Sequence, residues 1–221
     1  MSDSYEFPNA RLLIFAKAPV PGQVKTRLAG PLGRRGAAEL YKKLLRRTLV
    51  IARAARLCPI ELWGAPDVRH GFFIACRRDN GVRLRRQCGN DLGQRMNHAL
   101  NRTLAKKGRS AVLIGGDCAS LGVTELREAF HQLATGSAAV LGPAADGGYV
   151  LIGLNRPAPA LFRGIAWGAP TVLAATRRRL WQAGLLNWTE LPMGWDVDRP
   201  ADVRRLRRVQ AASAAPKYSA A

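Results

Sequence analysis

The chain has 221 residues, 48% of them hydrophobic and 7% aromatic, with 35 Lys+Arg against 15 Asp+Glu for a formal net charge of +20. That size and apolar content suit a globular protein with an aliphatic core, and no apolar run approaches the ~20 residues that a membrane helix needs. The basic excess raises nucleic-acid binding, but the arginines fall in short scattered clusters such as Arg46-Arg47, Arg85-Arg86 and Arg177-Arg178-Arg179, without the interleaved aromatics of a single-strand binder, so solvated faces explain most of them.

Arg11 to Phe15 is a short apolar run bounded by turn formers and predicts a first buried strand. Ala16 to Gly33 is rich in glycine and proline and predicts a loop. Leu40, Leu44, Leu45, Leu49 and Ala52 then recur at the spacing of one helix face over Ala37 to Ala55, with Pro59 closing that helix and Ile60 to Trp63 forming the next strand. Gly71 to Arg86 fits a short helix followed by a short strand near Val82 to Leu84. Leu92, Met96, Leu100 and Leu104 predict a helix over 92–104, and Ala111 to Ile114 another buried strand.

Thr124 is the expected cap of a helix over Glu125 to Leu133. Ala138 to Leu141 and Tyr149 to Leu154 read as strands joined by a tight turn at Asp146-Gly147-Gly148. Thr171 to Gln182 and Pro200 to Val209 complete the helices. Strands alternating with helices imply βα units, and the hairpin at Asp146 breaks the rhythm. The expected fold class is therefore α/β: a three-layer α/β/α domain with a mostly parallel mixed sheet. It would occupy residues 11–210, after an extension over 1–10 and before a small polar tail over 211–221 expected to be disordered.

Chemistry concentrates where strands end. FAKAPVPGQVKTRL, Phe15 to Leu28, follows the first strand, where α/β sheets place ligand crevices. Gly22 permits close backbone approach, and Lys17, Lys25 and Arg27 supply charge for nucleotide phosphates. The pattern is neither a Walker A loop nor GxGxxG, so those two phosphate motifs are excluded. Asp117, in VLIGGDCASLG, stands just past a buried strand, where a carboxylate can ligate Mg²⁺ or Mn²⁺ bridging phosphates or simply cap a turn. Asp146, in GPAADGGYVLIG, can act as base toward an acceptor hydroxyl or be a turn residue.

In WDVDRPAD, Asp196 and Asp198 alternate, so on an extended segment they face the same way and could share one cation. Asp202 suits the first turn of the following helix. In RQCGNDLGQRMNH, Gln87 can read a base edge and Arg95 can reach phosphate. His70, His98 and His131 lack ligand spacing, and Cys118, with no histidine nearby in sequence, is a poor nucleophile candidate. Trp167, in a loop, can line a pocket. Cys58, Cys76, Cys88 and Cys118 form no CxxC pair, and the opening residues lack a basic-then-apolar signal layout, so free thiols and a cytoplasmic location are expected.

In this order, FAKAPVPGQVKTRL, QCGNDLGQRM, GGDCASL, GPAADGGYVLIGL, the WG-x-P segment at Trp167 to Pro170 and DVDRPADV resemble the DUF2064 group over about Arg11 to Leu206. These are glycosyltransferase-A-like proteins, some of them arsenosugar-biosynthesis glycosyltransferases. The resemblance implies the nucleotide-diphospho-sugar transferase fold, which also serves small nucleotidyltransferases. It implies nucleotide on the loop from Lys17 to Arg27, metal on Asp117, and a second acidic ligand at Asp196 or Asp198. Ala119 departs from the proline usual after the cysteine, a change in loop stiffness rather than in a ligand. The expected activity is metal-dependent transfer from a nucleotide donor to a small-molecule acceptor. Glycosyl transfer from a nucleotide sugar leads, and nucleotidyl transfer releasing pyrophosphate is the alternative. A nucleic-acid-binding module driven by the +20 charge is the non-enzymatic alternative.

Overall fold

In the computed structural model, which describes residues 5–214, the strands form one sheet in the order β3-β2-β1-β4-β6-β5-β7. The strands are β1 Arg11–Lys17, β2 Ile60–Ala65, β3 Arg83–Arg86, β4 Ala111–Gly115, β5 Ala139–Pro143, β6 Tyr149–Leu154 and β7 Trp188–Glu190. β6 runs antiparallel to β4 and β5, and the remaining pairings are parallel. This is the expected mixed three-layer α/β/α arrangement.

β1 reads as unbroken apolar sequence because both its faces are covered. Leu12 and Ile14 join one buried cluster with Leu45 and Leu49 of α1 (Ala29–Ala55), Phe73 of α2 (Gly71–Asn80) and Phe130 of α4 (Val123–Ala134). Leu13 and Phe15 join the opposite cluster with Met96 and Leu100 of α3 (Leu92–Leu104) and Leu180 of α5 (Val172–Gln182). α6 (Pro200–Ala214) lies against α1 through Val203, Leu206 and Leu44. From β1 the chain builds outward through β2 and β3, then returns to place β4 on the other side of β1. The two strands therefore diverge in connection at a topological switch point, the place where open α/β sheets form a crevice past their carboxyl ends.

The details correct several expectations. α4 is capped at Gly122, not Thr124: the Gly122 N–H donates to Glu125 Oε2 at 2.8 Å, so a side chain reaching back from the first turn replaces the threonine hydroxyl. α1 begins at Ala29, inside the expected loop, but Gly33 (φ 68°, ψ 161°) interrupts it, which is where the loop was expected to end. The segment 71–86 resolves into α2 and β3. β7 and the 3₁₀ turn Pro159–Phe162 are additional elements. Of the tail expected to be disordered, 211–214 continue α6, and 215–221 lie outside the described residues, as do 1–4 of the expected extension. Phe7, within that extension, stacks on Phe130 at 5.7 Å between centroids.

Cys58, Cys76, Cys88 and Cys118 are free thiols. Among the described residues no helix is long and apolar enough to cross a membrane. The arginine pairs lie on α1, α2, β3, α5 and α6, distributed over both helical layers and one sheet edge instead of forming a single face.

Candidate active site

The crevice past β1 and β4 holds a cleft of about 620 Å³, lined by Lys17, Lys25, Arg27, Gln87, Arg95 and Asp117 among others. Lys25 sits in the left-handed backbone region (φ 47°, ψ 43°), an uncommon conformation for a side-chain-bearing residue. The bend turns its side chain inward, where only 4% of it is exposed. Its Nζ lies 2.6 Å from Asp117 Oδ2 and 3.7 Å from Asp198 Oδ1. Arg27, mostly exposed, makes an ion pair with Asp198 Oδ2. The cationic loop and the two acidic segments thus meet in space.

Burial opposes the Lys25 charge, but Asp117, then Asp196 and Asp198, outweigh it and hold its pKa above the ordinary lysine value. In Asp196 the balance favours the neutral form instead. Burial raises its carboxyl to about 6, Lys25 offsets part of this, and the charges of Asp117, Asp146 and Asp198 add to the rise. Asp196 and Asp198 both act on Lys25, while Val197 between them is fully buried with Leu28 and Leu44. That is the alternation expected of an extended segment.

Three loops are fastened together to make this possible. The Ser120 hydroxyl donates to Trp195 O at 3.0 Å and accepts from Trp195 N at 2.8 Å. The Cys118 thiol also donates to Trp195 O, at 3.4 Å. On the other side, Gly194 N donates to Pro143 O and Ala145 N to Gly194 O. The loop carrying Asp196 is therefore tied both to the loop of Asp117 and to the hairpin of Asp146. Asp146 Oδ1 caps that hairpin, accepting from Gly148 N at 3.0 Å. Asp202 Oδ2 accepts from Asp198 N and Arg199 N, which fixes the Asp198 backbone and satisfies the start of α6.

Other predicted residues are placed less directly. Lys17 ends β1, and its N–H donates to the Tyr41 hydroxyl at 2.8 Å. Gly22 has φ +83° and packs near Arg34. The Gln87 amide nitrogen donates to Ala16 O and Trp63 O, bridging β1 and β2, so its amide oxygen is the group it can offer a base. Arg95 Nε donates to Gly89 O, leaving the end of the guanidinium toward the cleft.

Tyr41, Ser120 and Thr48 were not singled out from sequence. Tyr41 lines the cleft, and burial followed by the charge of Asp117 pushes its phenol well above the ordinary value, keeping it a donor. Thr48 donates to Gly116 O at 3.0 Å, holding the backbone just before Asp117. Cys118 is buried, its thiol pushed up by that burial, and it serves the Trp195 contact. His70 caps α2 by accepting from Phe72 N.

Among the described residues no group of three or more His, Cys, Asp or Glu side chains stands ready to hold a metal ion. The Lys25 ammonium lies between Asp117 and Asp198. The donor set is nevertheless all oxygen, the chemistry that Mg²⁺ and Mn²⁺ prefer. Burial is the main cause of the raised Asp196 carboxyl, and the charges of Asp117, Asp146 and Asp198 add to it. In donor chemistry alone the carboxylates suit a hard divalent cation.

The sequence profile of the family described as "Uncharacterized protein conserved in bacteria (DUF2064)" matches residues 48–169. No curated protein matches the sequence. A crystal structure from Desulfovibrio desulfuricans G20, provisionally named a nucleotide-diphospho-sugar transferase, is similar with a TM-score of 0.83 and 31% identity, covering 94% of this chain and 90% of that one. CMP:2-keto-3-deoxy-manno-octonic acid synthetase complexed with CTP is similar in fold at 12% identity and a TM-score of 0.58, covering 93% and 99%. So is 4-diphosphocytidyl-2C-methyl-D-erythritol synthase, at 10% and 0.59, covering 92% and 98%.

Proposed function

The chain belongs to the DUF2064 family, and from that premise we propose that it is a transferase acting on a nucleotide donor, specifically a nucleotide-sugar-dependent glycosyltransferase. The observation that carries the reading is the meeting of Lys25, Asp117 and Asp198 in a cleft that Lys17, Arg27 and Arg95 make cationic. Such a cleft suits a diphosphate: Arg27 and Arg95 can take phosphate oxygens in pairs, and Lys17 and Lys25 supply point charges. Gln87, with its nitrogen occupied, would offer its oxygen to an amino group on the base.

Asp117, Asp196 and Asp198 would hold Mg²⁺ or Mn²⁺. A bound divalent ion would offset the charge that develops on the departing nucleoside diphosphate. Lys25, freed from Asp117, would add a cation on the phosphate side, and the Tyr41 hydroxyl a neutral donor. Asp146, on the far side of Asp196, is the candidate base for the acceptor.

The donor chemistry has a direct test. Purified protein with Mn²⁺ and a panel of nucleotide sugars and nucleoside triphosphates should release nucleoside diphosphate from a nucleotide sugar. Pyrophosphate release from a triphosphate would replace this reading with nucleotidyl transfer. Salt-sensitive nucleic-acid binding without nucleotide turnover would favour a binding module.

A further inference from the structure

A second cavity, about 230 Å³, adjoins the cleft: Phe15 and Leu92 border both. Asp196 and Asp146 face it, whereas Asp117 and Asp198 face the cleft. Its walls differ sharply from the rest of the molecule. In a chain of net charge +20, no lysine or arginine among the described residues lines it, and the charged groups that do are those two aspartates. The remainder is apolar or aromatic, including Met96, Tyr149 and Trp167.

Two glycine-bearing motifs are explained by this cavity. A Cβ on Gly93 would lie 2.3 Å from Trp167 Nε1, so only glycine lets the indole approach α3 this closely. A Cβ on Gly147 would lie 2.0 Å from Pro170 O, so the Asp-Gly-Gly turn can close on the Trp-Gly-x-Pro loop only without a side chain there. Trp167 is fixed further by stacking on Phe162 at 6.5 Å and by an edge contact with Tyr149 at 6.4 Å between centroids. Its half-buried ring is thus a fixed wall of the cavity.

Resting on the transferase reading, we propose that this cavity is the acceptor subsite and that it takes a small non-anionic alcohol with a ring-sized apolar face, rejecting acceptors that carry phosphate or carboxylate. The volume suits on the order of ten non-hydrogen atoms. The aromatic wall gives a face to stack on. An anion would enter against Asp146 and Asp196 with no cation to meet it. A divalent ion shared by Asp117, Asp196 and Asp198 would neutralise Asp196 but leave Asp146 as the charge facing the acceptor. In the transfer, the acceptor hydroxyl gives its proton to the Asp146 carboxylate and its oxygen bonds to the anomeric carbon. The bond from that carbon to the phosphate oxygen breaks with its electron pair, and nucleoside diphosphate leaves. Asp146 then returns the proton to solvent.

Wild-type full-length protein, without divalent metal, is titrated with 4-hydroxybenzyl alcohol, 4-hydroxybenzylamine and 4-hydroxybenzoate while the Trp167 indole N–H resonance is followed. The alcohol and the amine are expected to shift it, and the benzoate to bind at least about tenfold more weakly. General attraction to a +20 protein would produce the reverse order. Benzoate binding as tight as the alcohol, or an unmoved Trp167 resonance with all three probes, overturns the proposal. A parallel titration with nucleoside diphosphates separates the two readings: nucleotide binding with failure of the probes removes only the acceptor assignment, and absence of nucleotide binding removes the donor reading.

Discussion

Lys25 Nζ lies 2.6 Å from Asp117 Oδ2 although the two residues come from loops on different strands, and the lysine side chain is almost wholly enclosed. The pair joins the β1 loop to the β4 loop and leaves a cation in the middle of an acid cluster. Replacing Lys25 by methionine keeps the volume but strands Asp117 beside Asp196 and Asp198. Lys25→Met should cost about 1–3 kcal/mol of stability, since Asp117 keeps some solvent. It should also weaken nucleoside diphosphate binding at least about tenfold. Chemical denaturation and calorimetry check the two effects separately.

Asp196 carries the opposite imbalance. Its folded pKa, about 6, is raised above its ordinary value of 3.8. A raised pKa means that the folded protein holds a proton the unfolded chain releases. The associated stability is complete below about pH 4 and lost as pH rises through about 6. Asp196→Asn should therefore stabilise the metal-free protein at pH 7.5, by about 1 kcal/mol after solvent screening, and by almost nothing at pH 4. The same variant should lose turnover. Melting curves at the two pH values and an assay of donor consumption measure this trade.

Ser120 acts through Trp195, not on substrate. Ser120→Ala removes both hydroxyl bonds to Trp195, at about 0.5–1.5 kcal/mol each, and loosens the segment carrying Asp196 and Asp198. Turnover should fall about 10–100-fold, as for other groups that orient ligands, while nucleotide affinity measured without metal changes little. Ser120→Thr, which keeps the hydroxyl, should recover part of the loss.

Gly93→Ala should act on the acceptor side alone. Its Cβ would displace the Trp167 indole. Overpacking of this kind costs about 1–3 kcal/mol. The acceptor KM should rise severalfold with nucleotide binding unchanged, a separation visible in steady-state kinetics with each substrate varied in turn.

Much of this was legible in the chain, and the rest has physical reasons for being hidden. Leu92–Leu104 and Tyr149–Leu154 were read to the residue because spaced leucines and a glycine turn define their limits. β7 escaped notice: its three half-buried residues, Trp188, Thr189 and Glu190, show no periodicity. The cap of α4 lies two residues before the threonine that the sequence suggests, because Glu125 reaches back to Gly122 and a glycine has no side chain to mark a cap. At the site, Lys25, Asp117, Asp196 and Asp198 could be named from charge and position at strand ends. Their pairing could not, because it depends on a left-handed turn at Lys25. Tyr41 and Ser120 were invisible for a related reason: their partners lie 24 and 75 residues away in sequence.

The central claim is that these aspartates and the cationic loop form one metal-and-phosphate site. Electron paramagnetic resonance of Mn²⁺ added to protein saturated with a nucleoside diphosphate tests it most directly. The account predicts one tightly held ion per chain, with nucleotide required for full affinity and binding lost in Asp117→Asn. Mn²⁺ that partitions as it does with free nucleotide, unaffected by Asp117→Asn, would contradict it.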